Sequence, residues 1–281
     1  MLECVPNVSE GRDVGILDAL ARACGTALLD RHVDPDHHRS VFTLAGDETE
    51  SAVRSLSRAV AEHIDLRSHA GAHPRLGALD VVPFVVLDGE PPSTAVDAAR
   101  EFAVWIADAL AVPVFLYDAA DPAARSLPET RRDAFAPRGP DFGPPAAHPV
   151  LGAVAVGARP PIIAVNCELA VDDMALARSI AASVRERDGG MPGVRALGLH
   201  LDGVGRAQVS MNLVALERTG LQAACTMVER LASAAGNAVA RVELVGLVPA
   251  AELARCDPEF VAWSGIGPDQ TIEVRLARRR R

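Results

Sequence analysis

Apolar residues recur in two rhythms along this chain. Short Val/Ile/Leu runs read as strands, and longer stretches with apolar positions every three to four residues read as helices. The second half is the clearer. Pro161 to Leu169 is rich in Ile and Val and predicts a strand. Val171 to Arg187 has helical spacing through Met174, Leu176, Ile180 and Val184, with Asp172 and Asp173 in its first turn. Gly189, Gly190, Pro192 and Gly193 then break the chain. Val194 to Leu201 and Ala207 to Leu213 predict two strands around the turn signal Asp202-Gly203. Leu221 to Ala235 predicts a helix stopped by Gly236 and Asn237, and Val239 to Val248 a strand. The order is βαββαβ, the ferredoxin-like split unit.

The first half begins in the same order. Leu2 to Val8 predicts a strand, Val14 to Ala23 a helix ended by Gly25, and Ala27 to His32 and Ser40 to Leu44 two strands. Glu48 to Ile64 predicts a helix and Leu79 to Leu87 a strand, followed by an extra helix, Ser93 to Leu110, and an extra strand, Val114 to Tyr117. The shared order suggests an internal duplication. The fold class is therefore α+β: two similar ferredoxin-like α/β sandwich subdomains with a ligand cleft between them. Asp121 to Pro149 is dense in Pro and Arg and lacks periodicity, which reads either as a surface linker or as a functional segment. The Arg278 to Arg281 tail reads as a solvated end.

Composition narrows the possibilities. The 281 residues are 49% hydrophobic and 23% charged, enough for a sizeable core, and only 4% aromatic, so the core should be aliphatic. Acidic residues outnumber basic ones, 37 to 28, and the formal charge of -9 argues against nucleic-acid or anionic-membrane partners. The chain contains no lysine, which excludes a lysine nucleophile or Schiff base. Five cysteines without a CxxC pair suggest buried thiols in a reducing cytoplasm. Neither a signal peptide nor a spanning apolar run is evident.

Two polar clusters stand out. Arg67 to Asp80 places His69, His73 and Arg75 around Gly71 and Pro74, just before an apolar run. Imidazole moves protons near neutral pH and guanidinium grips carboxylates. Gly71 and Pro74 make a helix unlikely there, so the segment reads as a loop feeding a strand, its histidines either catalytic or simply hydrogen-bonded. Asp34-Pro35-Asp36-His37-His38-Arg39-Ser40 is either an ordinary Asp/Pro turn or a substrate grip. A metal would have to recruit His37, His38 and Asp34 or Asp36 beside the motif histidines, without regular metal spacing; no metal is expected. No Gly-rich phosphate loop and no nucleophile elbow occurs.

These motifs resemble the glutamate formimidoyltransferase (formiminotransferase) family, the transferase part of formimidoyltransferase-cyclodeaminase. The likeness starts at Glu3-Cys4-Val5-Pro6-Asn7-Val8-Ser9-Glu10-Gly11 and runs through His69-Ala70-Gly71-Ala72-His73-Pro74-Arg75-Leu76-Gly77-Ala78-Leu79-Asp80. It recurs at Val112 to Tyr117, at Asp141-Phe142-Gly143-Pro144 and at Gly157-Ala158-Arg159. It closes with Ala207-Gln208-Val209-Ser210-Met211-Asn212-Leu213 and Leu244 to Pro249.

The resemblance implies subdomains over 1-159 and 160-281, folate bound between them, and a homodimer in the cytoplasm without a fused cyclodeaminase. It implies transfer of a formimino group from N-formimino-L-glutamate to N5 of tetrahydrofolate as co-substrate, a step of histidine degradation and one-carbon metabolism. His73 would be the acid/base and His69 a supporting residue. The folate loop would be Gly143-Pro144-Pro145-Ala146-Ala147-His148-Pro149-Val150-Leu151-Gly152, which lacks the serines and large aromatics of the family's Gly-Pro-Ser-Ser-Phe-Val-Pro-Ser-Trp-Gly. His38 stands where the family has Asn, and Ala70 and Ala72 where it has Lys and Glu. Arg39, Arg75 and Arg159 are the candidates for substrate carboxylates, with His38 beside them. The alternatives are formyl transfer between 5-formyltetrahydrofolate and glutamate, and an inactive folate-like ligand-binding homologue.

Overall fold

Proline at position 6 splits the first strand. In the computed structural model, which describes residues 1–69, 75–87, 89–201, 203 and 205–279, the strand expected over Leu2 to Val8 is two short pieces, β1 (Leu2–Cys4) and β2 (Asn7–Val8). Both lie between the same neighbours, β4 (Arg39–Ala45) and β5 (Leu79–Val86). Pro6 has no N–H for the ladder, but its carbonyl still accepts from the Phe42 N–H at 2.9 Å, so the line of the strand is kept.

Between these strands run α1 (Val14–Ala23), β3 (Leu28–Asp34) and α2 (Thr49–His63). The Asp13 carboxylate caps α1 by accepting the Ile16 N–H at 3.0 Å. The chain continues through α3 (Pro92–Leu110), β6 (Val114–Asp118), α4 (Leu127–Asp133) and β7 (Val154–Ala158). Across the sheet the order is β3, β4, β1/β2, β5, β7, β6. The first four positions are antiparallel and ferredoxin-like; β7 and β6 extend them in parallel with β5.

The main core lies on the sheet face covered by the helices. In α3, Ala95, Ala98, Ala99, Phe102, Ala103 and Ile106 are buried at helical spacing, and the alanines let the helix approach the sheet closely. A smaller cluster of Val81, Tyr117 and Ala155 fills the other face, with Leu127 of α4 packed against it. Parallel strands are typically covered on both sides in this way. The outer edge of β6 is closed by the chain near residue 141: Val114 N–H donates to Phe142 at 3.0 Å, Leu116 N–H to the Asp141 carboxylate at 2.7 Å, and Arg138 to the Leu116 carbonyl at 2.9 Å. The segment read as linker or functional therefore contains a helix and an edge cap.

The chain divides into two compact units, Met1–Arg159 and Pro160–Arg281. The second contains β8 (Ile163–Leu169), α5 (Met174–Val184), β9 (Val194–Leu201), β10 (Arg206–Leu213), α6 (Leu221–Ala234) and β11 (Val239–Val245). Its sheet order is β11-β8-β10-β9, antiparallel throughout, the same topology as the start of the first unit. The hairpin at Asp202 lies partly outside the described residues. Ile163, Val165, Cys167 and Leu169 alternate inward from β8 and meet Ile180 of α5 and Val228 of α6 in one core.

Beyond β11 come α7 (Ala250–Leu253), α8 (Pro258–Ser264) and α9 (Ile272–Arg279). This last stretch is tied back where Val248 N–H donates to Gln270 at 3.0 Å and Ile272 N–H to Val248 at 3.1 Å. Four of the cysteines are buried, and Cys256 is partly buried. Among the described residues no helix is long and apolar enough to cross a membrane.

Gly77 leaves very little room for a side chain. It bridges to Gly152, and a Cβ there would lie 2.0 Å from the Ala153 carbonyl oxygen and 2.6 Å from that of Leu151. Backbone cannot yield as a flexible side chain can. Gly77→Ala should destabilise the protein by about 3 kcal/mol in urea unfolding. Gly139→Ala, whose Cβ would meet nothing within 4 Å, should stay within about 0.5 kcal/mol.

Candidate functional site

Four elements of the first unit converge on one carboxylate. Asp80, at the start of β5, is 1% exposed. Its Oδ1 accepts the Leu76 N–H at 2.7 Å, and its Oδ2 accepts from Arg131 Nη2 of α4 at 2.6 Å. Arg39 Nη2, at the start of β4, lies 3.9 Å from the same Oδ2. Arg39 is held in turn by the Asn7 side-chain carbonyl in β2, to which Nη2 donates at 2.6 Å and Nε at 3.2 Å.

Burial lowers the pKa of Arg39 to about 10; Asp80 opposes the shift, and the Arg131 and Arg75 cations reinforce it. Arg39 remains cationic at neutral pH. Arg75 is shifted down as well, by burial first and then by Arg131 and Arg12, again against Asp80. Three guanidinium groups thus share the field of one buried carboxylate. Such a place gains from a second anion, and guanidinium matches a carboxylate in both charge and geometry.

Beside it lies a histidine cluster. His38, in the left-handed region at φ 51°, turns the chain between β3 and β4. Its ring stacks on that of His69, with centroids 4.0 Å apart and planes 20° apart. His38 Nε2 is 3.1 Å from Glu10 Oε1. That oxygen also accepts three successive backbone N–H groups, from Gly11, Arg12 and Asp13, at 2.8, 2.7 and 2.9 Å. Burial alone would raise the Glu10 pKa, but the backbone donors and His38 outweigh it and the carboxyl is shifted down.

Arg75 Nη1 lies 2.7 Å from Nε2 and 2.9 Å from Nδ1 of His69. A guanidinium can only donate, so the imidazole must accept and be neutral. Burial, then the Arg75 cation, lowers the His69 pKa accordingly. His37 behaves oppositely. Its Nδ1 bonds the Asp34 carboxylate, which raises its pKa against the effect of burial. Burial pushes Asp34 upward, but the hydrogen bonds from His37 bring it below its ordinary value.

The motif residues Ala70 to Pro74, His73 among them, lie outside the described residues, but both flanks are fixed. The end of the Gly143–Gly152 loop bonds to each: Leu66 N–H donates to Val150 at 3.0 Å, Ala78 N–H to Leu151 at 2.9 Å, and Ala153 N–H to Leu76 at 2.9 Å. Inside the loop, His148 and Gly152 exchange backbone hydrogen bonds at 2.9 and 2.8 Å. His148 Nδ1 accepts from the Val150 and Leu151 N–H groups at 3.2 and 3.0 Å. Leu151 is buried and Val150 packs against the core, whereas Pro145, Ala146, Ala147 and Pro149 are exposed. Pro144 is half-buried, and Gly143 opens the loop with φ 83°.

His38, Arg39, His69 and Arg75 are therefore brought together, with the Val150–Gly152 end of the loop adjoining the His69 and Arg75 flanks. Arg159 is not with them. It follows β7, where its N–H donates to Phe84 at 3.1 Å, and its side chain faces the buried Tyr117. Phe84 is four residues along β5 from Asp80, roughly 13 Å at about 3.3 Å per residue. Sequence reasoning did not pick out Asp80, Arg131, Asn7 or Glu10. The available signals were an acid at the mouth of an otherwise apolar strand and the Arg131-Arg132 doublet in an apparently irregular segment. Among the described residues no group of three or more His, Cys, Asp or Glu side chains is placed to hold a metal.

Comparison with known proteins places the chain. Residues 1–159 match the formiminotransferase domain, N-terminal subdomain, and residues 164–265 match the formiminotransferase domain. The chain is 36% identical to a glutamate formimidoyltransferase of Streptococcus pyogenes, over 90% of each chain. It is 34% identical to a glutamate formimidoyltransferase of Thermoplasma acidophilum, over 98% of this chain and 97% of the relative. It is 39% identical to the formimidoyltransferase-cyclodeaminase of Sus scrofa, over 89% of this chain and 50% of that longer protein. With both subdomain matches in order and relatives aligned along nearly the full length, the chain belongs to the formiminotransferase family and is a transferase.

Proposed function

We propose that this protein transfers the formimino group of N-formimino-L-glutamate to N5 of tetrahydrofolate, with His73 as the acid/base. The observation that carries this reading is the placement of Arg131 and Arg39 at 2.6 and 3.9 Å from the buried Asp80 carboxylate, with Arg75 against His69, on either side of the segment that contains His73. A dicarboxylate donor needs fixed cations, and in a chain without lysine they must be arginines. The relatives named as glutamate formimidoyltransferases support the same donor.

In the reaction, N5 attacks the formimino carbon, and the new N5–C bond forms a tetrahedral intermediate. The bond from that carbon to the glutamate nitrogen then breaks, with its electron pair going to nitrogen. An amide anion is too basic to leave, so nitrogen must receive a proton as the bond opens, while N5 must lose one. A single imidazole that takes the proton from N5 and returns it to the glutamate nitrogen balances both steps. His69 is poorly suited to this, since its single acceptor nitrogen is engaged by the Arg75 guanidinium, a cation that opposes its taking up a proton. His73 is the motif histidine left for the task. In this reading the Gly143–Gly152 loop carries folate contacts, and its hydrogen bonds to both flanks of the motif support that role.

Three outcomes test this reading. With formiminoglutamate and tetrahydrofolate, His73→Ala should lower kcat by about 10²- to 10⁴-fold; full turnover in that variant overturns the assignment. The base form of the shuttle is required, so kcat/KM should fall as pH drops through its pKa. That acid limb should persist in His69→Asn and vanish in His73→Ala. Arg75→Gln removes a charge-assisted contact to a carboxylate, worth about 1.5–3 kcal/mol. It should raise KM for formiminoglutamate roughly 10- to 150-fold, leaving KM for tetrahydrofolate nearly unchanged.

A further inference from the structure

The opening motif, Glu3 to Gly11, has no part in the proton transfer above, yet its last residues hold two other parts of the first unit's site. On one side is the C-terminal flank of the His69–Asp80 motif. Ser9 N–H donates to the Ala78 carbonyl at 2.8 Å, and the Ser9 hydroxyl donates to the Gly77 carbonyl at 2.8 Å. On the other side is the turn between β3 and β4. Arg12 Nε donates to the Pro35 carbonyl at 2.9 Å. Gly11 lies so close to this turn that a Cβ there would stand 2.5 Å from the Arg39 backbone nitrogen.

Glu10 sits between these two sets of contacts and is 7% exposed. The N–H groups of Gly11, Arg12 and Asp13 and the His38 Nε2 all meet at its Oε1. An ionised carboxylate can only accept, so His38 Nε2 carries the proton of that contact, and the orientation of the ring is set. The oriented ring stacks on His69, and the His38 main chain also hydrogen-bonds the His69 ring. Arg75 is then seated twice on this assembly: Nη1 lies 2.7 Å from His69 Nε2, and Nη2 donates to the His37 carbonyl at 3.4 Å.

The turn by itself does not call for a histidine. At φ 51° glycine would serve without the cost that a Cβ brings in the left-handed region. What position 38 supplies is the ring, and what Glu10 supplies beyond a backbone cap is the ring's anchor. We propose that Glu10 and His38 are positioning residues, which through the His69 ring hold the Arg75 guanidinium where a carboxylate of the donor docks. This rests on the function proposed above, in which Arg75 receives formiminoglutamate. Both residues act through Arg75, so their effect falls on donor binding.

Steady-state kinetics of the full chain with formiminoglutamate and tetrahydrofolate test this. His38→Gly keeps the left-handed turn and removes the ring. It should raise KM for formiminoglutamate about 3- to 10-fold, with kcat and KM for tetrahydrofolate nearly unchanged. In an Arg75→Gln background the same substitution should add almost nothing, because the group it positions is gone. Glu10→Ala should raise the same KM, and Glu10→Gln, which keeps an acceptor for His38, should recover most of it. His38→Gly leaves the backbone contacts of Glu10 in place, so it decides the matter even where Glu10→Ala does not fold. A wild-type KM for formiminoglutamate in His38→Gly, an equal rise in both KM values, or a rise undiminished in the Arg75→Gln background overturns this inference alone. An unchanged KM for formiminoglutamate in Arg75→Gln overturns the assignment of Arg75 and this inference with it. A wild-type protein without turnover overturns the proposed function itself.

Discussion

A buried carboxylate that gathers guanidinium groups around it organises the first unit. Asp80 ties the Leu76 N–H, the Arg131 side chain and, at longer range, Arg39 to the mouth of β5. These come from the motif's C-terminal flank, from α4 and from the β3–β4 hairpin. Removing such a charge would leave guanidinium groups facing one another in a poorly solvated place, the costly way to break a buried ion pair. The same electrostatics bear on the chemistry: Arg131 lowers the pKa of both Arg39 and Arg75, and cations in excess of the one carboxylate leave positive charge for an incoming anion.

Much of the fold was legible because its elements follow simple periods. The helix over Val14–Ala23 and the strand over Val194–Leu201 begin and end where apolar spacing and Gly or Pro punctuation place them. Position 6 was less legible, because a proline can end a strand or merely interrupt one, and only the pairing of both pieces with β4 and β5 decides. Strand β7, Val-Ala-Val-Gly-Ala, was hidden for another reason. Its small residues carry little hydrophobic signal, and they are small because α3 and the Tyr117 ring lie close: a Cβ on Gly157 would stand 2.5 Å from that ring. Helix α4 is short and rich in charge, and it depends on Ser126 and Glu129 capping each other's backbone rather than on an apolar stripe.

The site was legible in its histidines and arginines but not in the groups that set their charge. His37 and His38 are neighbours in sequence, yet one is committed to Asp34 and the other to Glu10, twenty-eight residues away. In the sequence Glu10 stands only as one residue of the Glu3–Gly11 motif. In the structure it gathers three backbone donors and a histidine, a convergence that no local pattern encodes. Arg39 and Arg159 look alike as candidates, and only strand register separates them: Arg39 faces Asp80, while Arg159 follows the β7 residues paired with Phe84, four residues further along β5.

The loop from Gly143 to Gly152 is fastened by Phe142 and Leu151 at its ends and by backbone hydrogen bonds to the motif's flanks, while its middle side chains face outward. Stability is thereby vested in the ends, which are largely main chain and apolar anchors. The intervening side chains can be exchanged with little penalty to folding. Proline and alanine stand there without cost to the scaffold, because those side chains meet solvent rather than the core. The loop is thus a segment whose outward side chains can diverge freely while its main-chain ties to Leu66, Leu76 and Ala78 stay as they are.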